Sequence, residues 1–126
     1  MRSPVILIAD DFVDAATMYS LYLRHHGFEV VTALDGHEAI EAARRQRPDV
    51  VLLDLRMPGM SGTEAMKAMK ADDRLAGVPI LALTAHAMPD ERRAALAAGF
   101  DDFLSKPIAP QELVAKLKAL LQHRTS

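Results

Sequence analysis

Apolar residues in this chain gather in short blocks, and polar residues separate them with helical spacing. Four blocks have the length and residue types of strands: 5–9, 28–33, 50–53 and 79–83, with a weaker fifth at 102–104. The first, third and fourth are almost wholly apolar, as strands covered on both faces of a parallel sheet must be. The second is β-branched but carries Glu29 and Thr32, which predicts an edge strand. Between the blocks, helices are predicted at 14–26, 36–46, 61–71, 89–98 and 110–122. The first ends at Gly27, suited to the left-handed position past a helix end. The second stops before Pro48. The third opens on Ser61 with Glu64 three residues on, a capping box. The fourth ends at Gly99. The fifth starts at Pro110 and sets Leu113, Leu117, Leu120 and Leu121 on one stripe. Strand and helix alternate five times, which calls for a doubly wound α/β fold: a parallel sheet with helices on both faces.

Composition narrows the function classes. A length of 126 residues suits one domain, so residues 1–126 are read as a single unit. The net charge is −2, from 15 basic and 17 acidic residues, and the densest basic group, Arg44, Arg45 and Arg47, shares its helix with Glu38 and Glu41. Neither direct nucleic-acid binding nor an anionic membrane is therefore expected. Cysteine is absent, which excludes disulfides and thiolate metal sites. The apolar run near the start is too short for a signal-peptide core and stops at two aspartates, and no run approaches a membrane span. The expected setting is the cytoplasm.

In a sheet of this kind, ligands bind beyond the carboxyl ends of the strands. This chain places Asp10 and Asp11 after the first strand, Asp54 at the end of the third, Thr84 at the end of the fourth and Lys106 after the fifth. Each has a plain alternative. Asp10, Asp11 or Thr84 could cap a following helix, and Lys106 could be a solvated lysine. Asp54 is followed by Leu55-Arg56-Met57-Pro58-Gly59, a turn, so it does not read as a cap. Two carboxylates about 4 Å apart repel by roughly 4 kcal/mol at an effective dielectric of 20. Three of them converging would cost stability unless a cation sits among them. Oxygen-only ligands favour a hard ion, and few carboxylates favour Mg²⁺. A lysine and a hydroxyl alongside suit a phosphoryl group, and a carboxylate can itself be the nucleophile.

These residues resemble the receiver domain of two-component response regulators, of which the chemotaxis regulator is one. The resemblance covers nearly the whole chain. It rests on Asp10-Asp11, on Asp54 with the loop Met57-Pro58-Gly59-Met60-Ser61-Gly62, on Thr84-Ala85 and on Lys106-Pro107. It implies a flavodoxin-like sheet of strand order 2-1-3-4-5 with five helices. It also implies a phosphoacceptor at Asp54 and Mg²⁺ held by Asp10, Asp11, Asp54 and the backbone carbonyl of Arg56. Lys106 would contact one phosphoryl oxygen and Thr84 another. Phe103 matches an aromatic that moves between exposed and buried positions, though it lacks the hydroxyl of the tyrosine found in many relatives. The Lys106-Pro107 bond resembles the family's cis peptide. Arg56 and His86 fall where side chains tune the lifetime of the aspartyl phosphate. His25, His26, His37 and His123 read as surface residues, and methionines such as Met57, Met60, Met66, Met69 and Met88 as packing.

The implied activity is signalling, not enzymatic turnover. The domain would accept a phosphoryl group from a histidine kinase or a histidine phosphotransfer protein, label itself from small donors, lose the group again, and pass the change to a downstream protein as a monomer or a phosphorylation-dependent dimer. Two rivals differ in class. A haloacid-dehalogenase-type phosphatase would need a second aspartate where Arg56 stands. A non-phosphorylated receiver-like interaction module would usually lack one of the acidic or lysine positions, and all are present. The stretch 84–88 is closer to stand-alone and hybrid-kinase receivers than to those fused to DNA-binding domains, by analogy only.

Overall fold

Each predicted strand forms, and alternate residues of each central strand enter different cores. The computed structural model describes residues 3–85 and 88–125. Five strands, β1 (Val5–Ala9), β2 (Glu29–Ala33), β3 (Val50–Asp54), β4 (Ile80–Thr84) and β5 (Asp102–Ser105), make one parallel sheet in the order β2-β1-β3-β4-β5. Five helices connect and follow them: α1 (Val13–His25), α2 (Gly36–Gln46), α3 (Gly62–Lys70), α4 (Pro89–Ala98) and α5 (Pro110–Thr125). A short 3₁₀ turn, Asp73–Leu75, precedes β4; the charged run Asp72-Asp73-Arg74 gave no helical signal for it.

Leu7, Ala9, Val51 and Leu53 face one side of the sheet, where Ala39 and Ala43 of α2, Met66 and Met69 of α3 and Ala95 of α4 cover them. Ile6, Ile8, Val50 and Leu52 face the other, under Tyr19 and Leu23 of α1 and Leu113 and Leu117 of α5. Both faces are covered, which explains why β1, β3 and β4 read as unbroken apolar runs. Burying each such leucine or isoleucine is worth roughly 1.5–3 kcal/mol. The edge strand β2 exposes Glu29 and Thr32 and buries Val30 and Ala33.

The ends of the elements follow local chemistry. Gly27 takes φ 91° just past α1 and donates its N–H to the Arg24 carbonyl. Ser61 Oγ accepts from the Glu64 N–H at 3.2 Å, and Glu64 Oε1 accepts from the Ser61 N–H at 3.3 Å, completing the capping box. Strand order reverses between β1 and β3, and this opens a crevice at their carboxyl ends.

Candidate functional site

Register brings the chemistry-bearing residues to one edge. Ala9 pairs with Leu53, so Asp10 and Asp54 are the next residues on adjacent strands. Thr84 pairs with Ser105, so Lys106 follows directly beyond it. Carboxylate oxygens of Asp10, Asp11 and Asp54 all lie within 4.8 Å of one another.

None of the plain capping alternatives holds. The residue preceding α1 is Phe12, with no side-chain cap, and the one preceding α4 is Met88. Asp10 is fully buried; its Oδ1 accepts from the Phe12 N–H at 2.9 Å. Asp54 is 8% exposed, and its Oδ1 accepts from the Arg56 N–H at 3.0 Å, which fixes the turn that follows. Asp11 is exposed at the mouth.

Lys106 is not a solvated lysine. Its Nζ donates to Asp10 Oδ2 at 2.5 Å and to Asp54 Oδ2 at 2.8 Å. Burial disfavours its charge, but the bonds to the two carboxylates outweigh that and raise its pKa. Burial pushes the Asp54 carboxyl above its ordinary value. The Lys106 ammonium and the Arg56 N–H pull it down without cancelling that rise, and the Asp10 carboxylate adds to it. The Lys106-Pro107 peptide is cis, and the Lys106 N–H donates to the Thr84 carbonyl at 2.7 Å.

Thr84 is buried at the end of β4. Phe103 is 8% exposed and packs in the core with Ala82, Ala95 and Phe100, so of the two positions expected for it this structure holds the buried one. Arg56 is exposed at the mouth, and His86 lies outside the described residues. His25 and His37 are exposed and His26 is half-buried. Met66 and Met69 are core residues, Met57 and Met60 pack against that core, and Met88 is exposed.

Two glycines shape the site in ways the sequence reading missed. A Cβ on Gly62 would lie 2.2 Å from the backbone oxygen of Asp54, so only glycine lets α3 start this close to the strand end. A Cβ on Gly36 would lie 2.8 Å from Met60 Cβ in the loop after Asp54. A glycine at the first position of each helix, where alanine would favour the helix more, was the available signal. Tyr19 was missed as well; it is the one buried position on α1 that joins a large ring to a polar tip.

The acidic cluster with an opposed lysine could hold a metal ion: hard oxygen donors converge, and one of the three carboxylates is fully buried.

Known proteins share this fold. The family described as "Response regulator receiver domain" matches residues 6–118. Transcriptional regulatory protein PrrA of Mycobacterium tuberculosis is 44% identical over 126 residues, which is 100% of this chain and 53% of PrrA. The chain thus spans about half the length of the curated relatives it matches. Among solved structures, chemotaxis protein CheY4 of Vibrio cholerae superposes with a TM-score of 0.88 at 35% identity, over 94% of this chain and 98% of that one. The receiver domain of sensor histidine kinase PA1611 from Pseudomonas aeruginosa, solved with a magnesium ion in its active site cleft, gives 0.87 at 35%, over 95% and 98%. The fold, the family match over residues 6–118 and these likenesses agree: the chain belongs to the response regulator receiver domain family, the signalling domain of two-component systems.

Proposed function

We propose that Asp54 accepts a phosphoryl group as an aspartyl phosphate and that Lys106 stabilises it. The observation that carries this is the 2.8 Å contact between Lys106 Nζ and Asp54 Oδ2 at the crevice, with two further carboxylates alongside. A carboxylate oxygen of Asp54 attacks phosphorus. The bond from phosphorus to the donor's imidazole nitrogen breaks, and its electron pair stays on that nitrogen, which takes up a proton. Lys106 is placed to meet one phosphoryl oxygen and the Thr84 hydroxyl to donate to another. Water later cleaves the acyl phosphate, and Arg56 at the mouth bears on how fast.

Asp10, Asp11, Asp54 and the Arg56 carbonyl would hold Mg²⁺, which when bound neutralises charge on the phosphoryl oxygens. The rest of the task falls to the protein: orienting Asp54 through the Arg56 N–H, and keeping the opposing ammonium charged.

The donor is protein-borne, a histidine kinase or a histidine phosphotransfer protein. Phe12, Val13, Met18 and Leu21 lie exposed on and beside α1, next to the acidic pair, an apolar surface fit to receive a protein. The downstream partner is a protein too, met by a monomer or a phosphorylation-dependent dimer. No basic patch in these residues suits direct nucleic-acid contact, although PrrA is named a transcriptional regulator and is about twice as long. No helix among the described residues is long and apolar enough to cross a membrane, and the proposed setting is the cytoplasm. A phosphatase reading finds no support, because exposed Arg56 stands where its second aspartate belongs.

Incubation with Mg²⁺ and acetyl phosphate tests this. Asp54 should acquire an acid-stable, alkali-labile label, and Asp54→Asn should abolish it. Label persisting on another carboxylate in that variant would show that the nucleophile is misassigned.

A further inference from the structure

The turn between β5 and α5 is held at two points, one on each side of Pro107. The Lys106 N–H donates to the Thr84 carbonyl at 2.7 Å. Pro107 has no N–H. The Ile108 N–H donates to Tyr19 Oη at 3.2 Å, a buried bond between residues 89 apart in the chain. Tyr19 is 4% exposed and lies on α1, the helix that follows Asp10 and Asp11. It shares a core cluster with Ile108, Leu113, Val114 and Leu117.

A tyrosine is an expensive filler for an apolar position, because its oxygen needs a partner once buried. Here that need meets a matching one. Ile108 lies between β5 and α5, outside both elements, so its N–H has no regular ladder to join. The turn that presents Lys106 is thus pinned to α1 by a hydroxyl.

We propose that Tyr19 is a positioning residue for Lys106: its hydroxyl registers the lysine-bearing turn against the helix that follows the acidic pair. This rests on the reading of Lys106 as the phosphoryl contact. Tyr19→Phe keeps the ring and removes only the acceptor. The Ile108 N–H, left among apolar side chains, must turn towards water, and the backbone of residues 106–108 moves with it. Lys106 Nζ then spends less time at its two carboxylates.

The test has two arms on the whole chain. In the first, lysine is labelled with ¹³C at Cε and no phosphodonor is present. Tyr19→Phe should shift and broaden the Lys106 resonance while those of Lys67, Lys70 and Lys118 stay in place. Val114→Ala, a core loss in the same cluster, should leave Lys106 unmoved. In the second arm, at saturating Mg²⁺ with acetyl phosphate, Tyr19→Phe should slow labelling about fivefold. In a Lys106→Met background it should slow labelling no further, since an effect that acts through a residue disappears with it. An unmoved Lys106 resonance, or equal slowing in both backgrounds, overturns the proposal. The first arm needs no phosphoryl transfer, so a wild type that takes no label would refute the role of Asp54 and still leave the position of Lys106 measured.

Discussion

Lys106 and Asp10 meet across 96 residues of chain, with 2.5 Å between the ammonium nitrogen and an oxygen of a fully buried carboxylate. The crowding of carboxylates that points to a cation at this edge is therefore answered in part from within the chain. The same ammonium reaches Asp54, so it compensates the two more buried acids at once. Asp11, exposed at the mouth, is the third charge of the cluster.

That division predicts which aspartate is a burden without metal. Asp11→Ala should raise the stability of the metal-free protein, by up to about 1 kcal/mol given its exposure to solvent. Added Mg²⁺ should stabilise the wild type by mass action and leave Asp11→Ala almost unmoved. Thermal unfolding with and without Mg²⁺ measures both. Equal Mg²⁺ responses would place the ion elsewhere.

Gly62 offers a separate test of how the strand end is held. Its N–H donates to the Leu55 carbonyl at 3.1 Å, and a side chain there has no room against the backbone oxygen of Asp54. Gly62→Ala must displace either α3 or the strand end. It should cost about 1–3 kcal/mol, as overpacking does, and should slow labelling of Asp54 as well. Urea unfolding read beside acetyl phosphate labelling checks this. Normal labelling with unchanged stability would mean that the turn yields freely.

Far from the site, acid stability should depend on Asp72. Its carboxyl accepts from the Arg74 side chain and N–H and from Arg44 Nε at 2.9 Å, tying α2 to the 3₁₀ turn. Those bonds, led by that of the Arg74 side chain, hold its pKa well below the usual carboxylate range. A depressed folded pKa gives stability that is present at neutral pH and lost as pH falls through that pKa. Asp72→Asn should therefore be less stable than wild type at pH 7, with the gap closing as pH falls below about 4. Added salt should shrink the gap, because the arginines are solvent-exposed. Urea midpoints from pH 7 to pH 2 give the comparison. A gap that stays constant over that range would show that charge contributes nothing.

Much of this structure was legible in the chain because its signals are local. The buried strands are covered on both faces, so each appears as an apolar run. Predicted and observed bounds differ by a residue at most for β1 to β5: β2 starts at Glu29 because the Phe28 N–H turns back to the Leu23 carbonyl. The last helix runs on to Thr125, since nothing in Gln122-His123-Arg124 interrupts a helix. Asp10, Asp54, Thr84 and Lys106 stood out because strand ends in a parallel sheet share an edge. What stayed hidden depends on distances between remote elements. Nothing near Tyr19 announces that its hydroxyl meets Ile108, and nothing near Gly36 announces Met60. The second bond of Lys106, to Asp10, was hidden for the same reason.

A phosphoryl group at Asp54 can reach a partner surface only through a movement of the elements around it. For the Thr84 hydroxyl to bond a phosphoryl oxygen, the end of β4 must move inward. Phe103 already fills the core beneath α4, so its burial cannot be the step that answers this movement. Room exists elsewhere. A groove of about 430 Å³ runs beside Thr84, between Leu55 and Thr63 on one side and Ala94, Ala95 and Ala98 of α4 on the other. Ala95 is the one buried residue of α4, so little apolar burial holds this helix in place. Arg56 and Glu91 also line the groove, but the alanines of α4 that face it leave that helix free to close on it when the β4 end moves. An amide chemical-shift map with beryllofluoride, a phosphoryl mimic, should therefore extend from the loops around Asp10, Asp54 and Lys106 along 89–98. Thr84→Ala should confine the shifts to those loops. Ala94→Leu, which fills the groove and replaces neither Lys106 nor any of Asp10, Asp11 and Asp54, should confine them too while Asp54 still takes the label. Phe103→Ala should cost about 3–5 kcal/mol as a core cavity, yet leave the spread along α4 in place. If Ala94→Leu leaves the map as extensive as in wild type, the groove is not the route. If wild-type shifts never pass beyond the loops, α4 is not the surface that reports phosphorylation.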